Sequence, residues 1–218
     1  MLRKEAVVPE MINLIKELQS NSLFDDHILA GGTALTLQIG HRTSTDIDLF
    51  ASKKQSVSMF TDYFKKNYKD IDIHIVDENF IRIFVNKIKV EMVYDEEKRI
   101  ETPRIEDNIK MFNVNEIAVM KIKAITGRTQ ARDFIDIAFL LKEMTLHKMF
   151  ELYKEKYGMI SPLYMKRMLL TKSRTIKDDE WLVDIKMLRD DIIPKDVPKI
   201  IESEILKYNR NLGIGAQE

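Results

Sequence analysis

The sequence predicts an α+β protein whose first half mixes strands with helices and whose second half is all helical. Three observations carry this. Short β-like segments alternate with amphipathic helical segments up to about residue 95. Two of those β segments are separated only by Asn86 and Lys87. Beyond Pro103 the apolar residues recur only at helical spacing.

Taken in order, Pro9 suits the first position of a helix. Met11, Ile12, Ile15 and Leu18 follow at helical spacing, so a helix is expected to about Gln19. His27 to Ala30 reads as a short buried strand, broken by Gly31 and Gly32. Residues 33–39 are expected to form one or two helical turns, stopped by Gly40. From 45 to 50 polar and apolar residues alternate, with Asp46 and Asp48 on one face and Ile47 and Leu49 on the other. That is the period of a strand. A helix is expected over 53–66, with Val57, Phe60 and Phe64 on its inner side. Strands are expected over 71–76, 80–85 and 88–94, the last two forming a hairpin through Asn86-Lys87. Helices follow at 116–126, 132–144, 146–157, 162–171, 179–190 and 197–211, before a frayed tail, GIGAQE. The domain boundary falls between 100 and 114, giving units of 1–110 and 111–218.

Composition narrows the function. The 218 residues are 44% apolar and 32% charged, enough for a substantial core. Lys+Arg and Asp+Glu are both 35, so no global field draws the chain to nucleic acid or to an anionic membrane. Cysteine is absent, which excludes disulfides and thiolate metal sites and fits a reducing cytoplasm. The charged N-terminus carries no secretory h-region, and no apolar run is long enough for a membrane span. A cytoplasmic protein without a membrane partner is expected. The twelve methionines suit an adaptable core, and Trp181 reads as a core anchor.

Chemistry concentrates in GGTALTLQIGHRTSTDIDLF, residues 31–50. Asp46 and Asp48 at i and i+2 of a strand put two carboxylates on one face, about 7 Å apart. Such a pair can share a hard divalent cation; it is also what a solvent-facing strand edge looks like. Gly31-Gly32-Thr33 between a strand and a helix can bring backbone N–H groups close to phosphate. Taken alone, it is equally an ordinary turn with Thr33 as N-cap.

The combination resembles the nucleotidyltransferase superfamily of DNA polymerase beta type, whose signature is a glycine pair or Gly-Ser, a short spacer and Asp-x-Asp. Within it, the stretch is similar to the AbiEii/AbiGii-type toxin branch, which shows GGTAL, then HR, a Ser and DIDLF. Here His41, Arg42, Ser44, Leu49 and Phe50 complete that match. A second match lies in NEIAVMKIKAITGRTQARDFIDIAFLL, at Ala118, Lys121, Arg128, Arg132, Asp133 and Asp136. The resemblance reaches to about Leu141.

The resemblance implies a nucleotidyltransferase-like mixed sheet flanked by helices, with the helical domain completing the nucleotide site. It implies transfer of a nucleoside monophosphate from an NTP to an acceptor hydroxyl such as one on tRNA, with two Mg²⁺ ions held by Asp46, Asp48 and a third carboxylate. Glu91 in IKVEMVYDE is the candidate for that third place, where the superfamily more often has Asp; Asp95 is the alternative. Gly31, Gly32, Thr33, Arg42 and Ser44 would hold phosphate, with Lys121, Arg132 and Asp136 from the second match. Lys121 and Asp133 would join Asp46, Asp48 and Glu91 as catalytic residues. Each has a plainer reading: Lys121 as a rim lysine, Asp136 as a structural acid, Arg42 as a partner of the aspartates, His41 as a packed histidine. The branch implies a cognate antitoxin protein. Lys166, Arg167, Lys172, Arg174 and Lys177 form a basic run that reads as a solvated helix face or as an RNA contact. A degenerate, binding-only member and a protein-modifying transferase are the competing readings.

Overall fold

The alternating stretch at 46–51 becomes the middle strand of a seven-stranded sheet in the computed structural model, which describes residues 1–54, 56–181 and 185–213. The chain divides into two compact units, Met1–Asn113 and Val114–Glu218.

The first unit holds α1 (Pro9–Ser20), β1 (Ile28–Leu29), α2 (Gly31–Ile39), β2 (Asp46–Ala51), α3 (Val57–Asn67), β3 (Ile71–Val76), β4 (Phe80–Val85), β5 (Ile88–Tyr94), β6 (Arg104–Glu106) and β7 (Ile109–Met111). The sheet order is β3-β4-β5-β2-β1-β7-β6. It is mixed: β2 runs parallel to β5 and β1 parallel to β7, and the remaining neighbours are antiparallel. Ile47, Leu49 and Ala51 face the core with Val90, Met92, Ile81 and Ile83, while the alternate positions of β2 stay half-buried. Each buried Leu or Ile contributes roughly 1.5–3 kcal/mol, which fixes the face that β2 turns inward. Phe24, Phe60 and Phe64 pack on this side, with ring centroids 5.6 and 6.1 Å from Phe24.

Two boundaries beside the glycine turn and the acidic strand, and one hairpin, differ from the sequence reading. Helix α3 begins at Val57 rather than 53, because the Asp26 carboxylate accepts from Ser52 N at 2.6 Å and Lys53 N at 2.7 Å and holds them outside the helix. Helix α2 begins at Gly31, two residues early, so Thr33 lies inside its first turn rather than at its N-cap. The hairpin β6–β7 was not expected. Its strands are three residues each, and its turn residues Asp107 and Asn108 have φ of 52° and 60°. The same left-handed pair closes the expected β4–β5 hairpin, at Asn86 and Lys87 with φ of 49° and 67°.

The second unit contains α4 (Val114–Gly127), α5 (Ala131–Glu143), α6 (Leu146–Tyr157), α7 (Pro162–Thr175) and α8 (Val197–Asn211). No helix forms in the described part of 179–190. Lys177 and Glu180 close a turn there, with Glu180 N donating to Lys177 O at 3.0 Å and Lys177 N donating to Glu180 Oε2 at 3.1 Å. Trp181 is buried next to that turn, as a core anchor should be. Residues 182–184 of this expected helix, and residues 214–218 of the expected frayed tail, lie outside the described residues. Among the described residues no helix is long and apolar enough to cross a membrane.

Candidate active site

The glycine pair exists to clear space. Gly31 has φ of 66°, a conformation that side chains disfavour, and a Cβ there would lie 1.9 Å from Asp48 Oδ2. A Cβ on Gly32 would lie 2.5 Å from Arg42 Nη2. The turn therefore seats an acid and a guanidinium of this chain against the first residues of α2. The partial positive charge of that helix end favours the Asp48 carboxylate. Ala30 N donates to Asp48 O at 2.8 Å and locks β2 beside the turn.

The same face of the sheet carries Glu91. Asp48 pairs with Glu91, and Asp46 with Lys89, across the parallel β2–β5 ladder. Three carboxylates thus share a face on two adjacent strands. Glu91 Oε1 accepts from Arg82 Nε at 2.6 Å, while Lys89 Nζ lies 2.8 Å from Asp46 Oδ2 and 3.6 Å from Glu91 Oε1. Asp95 sits past the end of β5, where its N donates to Ala51 O at 2.9 Å and its carboxylate accepts from Glu97 N at 3.1 Å.

Among the described residues, no group of three or more His, Cys, Asp or Glu side chains is arranged to hold a metal ion. Asp46 and Asp48 remain as two hard-oxygen donors on one strand face. That is the share a protein commonly gives Mg²⁺ when phosphate oxygens and water supply the rest. The residues fit one divalent ion shared with a nucleotide. Arg82 holds the Glu91 carboxylate at 2.6 Å, so Glu91 would have to leave that pair to join Asp46 and Asp48 at a metal.

Thr33 directs its hydroxyl inward. It is fully buried, and its hydroxyl hydrogen-bonds with Ser44 Oγ at 2.8 Å and donates to the Asp46 carbonyl. Thr33 and Ser44 therefore brace the entry to β2 from within. The Thr36 hydroxyl likewise donates to the Arg42 carbonyl, and Arg42 Nη1 donates to Thr43 O at 2.8 Å. His41 is buried, in line with a packed histidine.

In the helical unit the second motif forms a closed ion cluster. Lys121 Nζ on α4 lies 2.9 Å from Asp133 Oδ1 and 2.6 Å from Asp136 Oδ2, both on α5. Arg128 Nε donates to Asp133 Oδ2 at 2.7 Å and its Nη2 to Oδ1 at 3.1 Å, a bidentate grip. Burial would raise the Asp133 carboxyl, but Lys121 and Arg128 outweigh it and hold it below the ordinary carboxylate value. Arg132 turns to Gln130, donating to Oε1 at 3.1 Å. A further buried pair, Lys156–Glu116 at 2.8 Å, ties α6 to α4.

Much of the basic run is committed within this unit. Lys172 Nζ donates to Ile125 O at 2.6 Å and to Thr126 O at 3.3 Å, capping the end of α4. Lys166 donates to Asn209 Oδ1 at 2.6 Å, and Arg174 pairs with Glu202 at 2.8 Å. Arg167 and Lys177 are exposed. Sequence reasoning missed Lys89, Arg82 and Asp26. The signal for the first two was the alternation of β4 and β5, which puts them on the acidic face; Asp26 gave no local signal, since its partners are 26 and 27 residues away.

The model of a family described as nucleotidyl transferase AbiEii toxin, type IV TA system, matches residues 14–203. An uncharacterised protein of Aquifex aeolicus (strain VF5) is 28% identical over 162 residues, which cover 68% of this chain and 74% of that one. Among solved structures, JHP933 from Helicobacter pylori aligns with a TM-score of 0.57 at 20% identity, covering 93% of this chain and 90% of its own. MenT4, a nucleotidyltransferase toxin from Mycobacterium tuberculosis H37Rv, aligns with a TM-score of 0.50 at 10% identity, covering 94% and 89%. At these identities the two structures speak for the fold.

Proposed function

Because this chain belongs to the nucleotidyl transferase AbiEii toxin family and is a nucleotidyltransferase, we propose that it uses a divalent cation to move an NMP from an NTP to an RNA hydroxyl, as the toxin of a toxin–antitoxin pair. The observation that carries this reading is the placement of Asp46 and Asp48 on the open face of β2, with the Asp48 carboxylate seated against Gly31.

In the transfer, the acceptor hydroxyl gives up its proton to water as its oxygen bonds to the α-phosphorus, the bond to the bridging oxygen breaks, and pyrophosphate leaves. Asp46 and Asp48 would hold the Mg²⁺, which supplies Lewis-acid stabilisation of the phosphate charge. The chain's own residues do the rest by placement. Thr33, Ser44 and Ala30 fix the position of β2, so the backbone that carries the two carboxylates is set before nucleotide arrives. Arg42, beside Gly32, is the cation at the turn that favours the triphosphate.

The test is incubation of purified protein with labelled NTPs, Mg²⁺ and total RNA. Label transferred to RNA by the wild type and lost in Asp46→Asn and Asp48→Asn supports the reading. NTP binding without pyrophosphate release would replace it with a binding-only role, and label on protein alone would replace the acceptor. The toxin role predicts growth arrest on expression that Asp48→Ala relieves.

A further inference from the structure

The face that carries the three acids also carries two cations in register with them. Lys89 lies opposite Asp46 across β2–β5, and Arg82 lies opposite Glu91 across β4–β5. Lys89, Asp46 and Glu91 have side chains only 21%, 20% and 17% exposed. Charges that sheltered are screened less by salt than surface pairs. Lys89 Nζ touches Asp46 at 2.8 Å and has Glu91 in reach at 3.6 Å, while Arg82 already holds Glu91 at 2.6 Å.

We propose that Lys89 is the resident counter-ion of Asp46. A divalent ion enters the Asp46–Asp48 pair by taking Asp46 from Lys89, and Glu91 stays with Arg82 instead of joining the metal. The inference rests on the reading of Asp46 and Asp48 as the cation pair.

The chemistry favours this exchange. An ammonium is a compact point charge with three donors, so it satisfies Asp46 without fixing the directional geometry that a bidentate guanidinium would impose. When it gives up Asp46, a second acceptor, Glu91, is already beside it, so no charge is left without a partner. Recruiting Glu91 to the metal would instead strand both Arg82 and Lys89 on the same face. Lys89 thus holds two neighbouring carboxylates in place before nucleotide arrives, and Glu91 serves the cations rather than the metal.

Mn²⁺ binding to the nucleotide-free full-length chain, followed by the electron paramagnetic resonance of free Mn²⁺, tests this without turnover. Wild type, Lys89→Met, Lys89→Arg, Glu91→Gln and Asp48→Asn are compared, with thermal melts to confirm folding. One Mn²⁺ per chain is expected. Lys89→Met removes a competing unit charge and tightens binding about tenfold. Lys89→Arg binds no tighter than wild type, and Glu91→Gln leaves affinity within about threefold. Unchanged or weaker binding in a folded Lys89→Met, or a loss in Glu91→Gln equal to that in Asp48→Asn, overturns the proposal. If Asp48→Asn leaves Mn²⁺ binding unchanged, the cation pair itself falls, and this inference with it.

Discussion

The cluster of acids and cations on the sheet face and the one between α4 and α5 are built to opposite ends. On the sheet face, Asp46, Glu91 and Lys89 keep 17–21% of their side-chain surface. In the helical unit, Asp133 and Asp136 keep none and Lys121 keeps 7%. Each set pairs two carboxylates with one lysine, but burial separates a set that can exchange partners from one that holds them. Burial makes ion pairs expensive to break, because the stranded charge has no water to turn to. Partial exposure leaves room for an incoming cation.

The largest expected effect is on stability of the closed cluster. Asp133→Ala removes the shared acceptor of Lys121 and Arg128. The buried Lys121 keeps Asp136 and the half-exposed Arg128 can turn to water, so the cost is about 3 kcal/mol, the low end for a broken buried pair. Urea unfolding measures it, and a loss below about 1 kcal/mol would erase the contrast between the clusters.

Acid distinguishes the two units by window. His27 is buried between Phe24 and Phe60, and that burial lowers its pKa from 6.5 to about 4. The unfolded chain therefore takes up a proton first. The stabilising contribution of neutral His27 is complete above pH 6.5 and is lost as pH falls from 6.5 to about 4, a change of about 3 kcal/mol. The depressed carboxyl of Asp133 contributes above the ordinary carboxylate value and is lost only as pH falls through its lower folded value. Melts from pH 7 to 3 should show the first unit weakening at higher pH than the second, and the early phase should vanish in His27→Phe.

A smaller change is expected from Gly31→Ala. It forces a side chain into a left-handed conformation at about 1–2 kcal/mol and pushes on the Asp48 carboxylate. Transfer activity should fall further than the melting temperature suggests. The smallest effect on stability belongs to Asp48→Asn, expected within about 1 kcal/mol of wild type, while transfer drops about 10²-fold or more. A large loss of stability there would show the open cluster to be structural after all.

The face of β2 was legible because a strand has a fixed period of two and Ile47 and Leu49 declare which side is buried. The α6 and α8 boundaries were legible because their apolar spacing is regular and Thr145 and Pro198 mark the starts. The β6–β7 hairpin was hidden by strands too short to show alternation. The partners of the acids were hidden for another reason. Glu91 and Arg82 are nine residues apart in the chain and meet only through the β4–β5 register, which local patterning does not specify. Thr33 belongs to the motif, but its inward hydroxyl follows from α2 starting at Gly31.

Gly31 and Asp48 have a joint fate. The carboxylate of one occupies the volume where the other would carry a Cβ, so position 31 admits no side chain while the acid is present. Effects of substituting both should be far from additive, since an alanine at 31 loses its collision once the acid at 48 is shortened. A chain that loses the acid thereby also releases the constraint on its first glycine, leaving only the backbone angle to defend it.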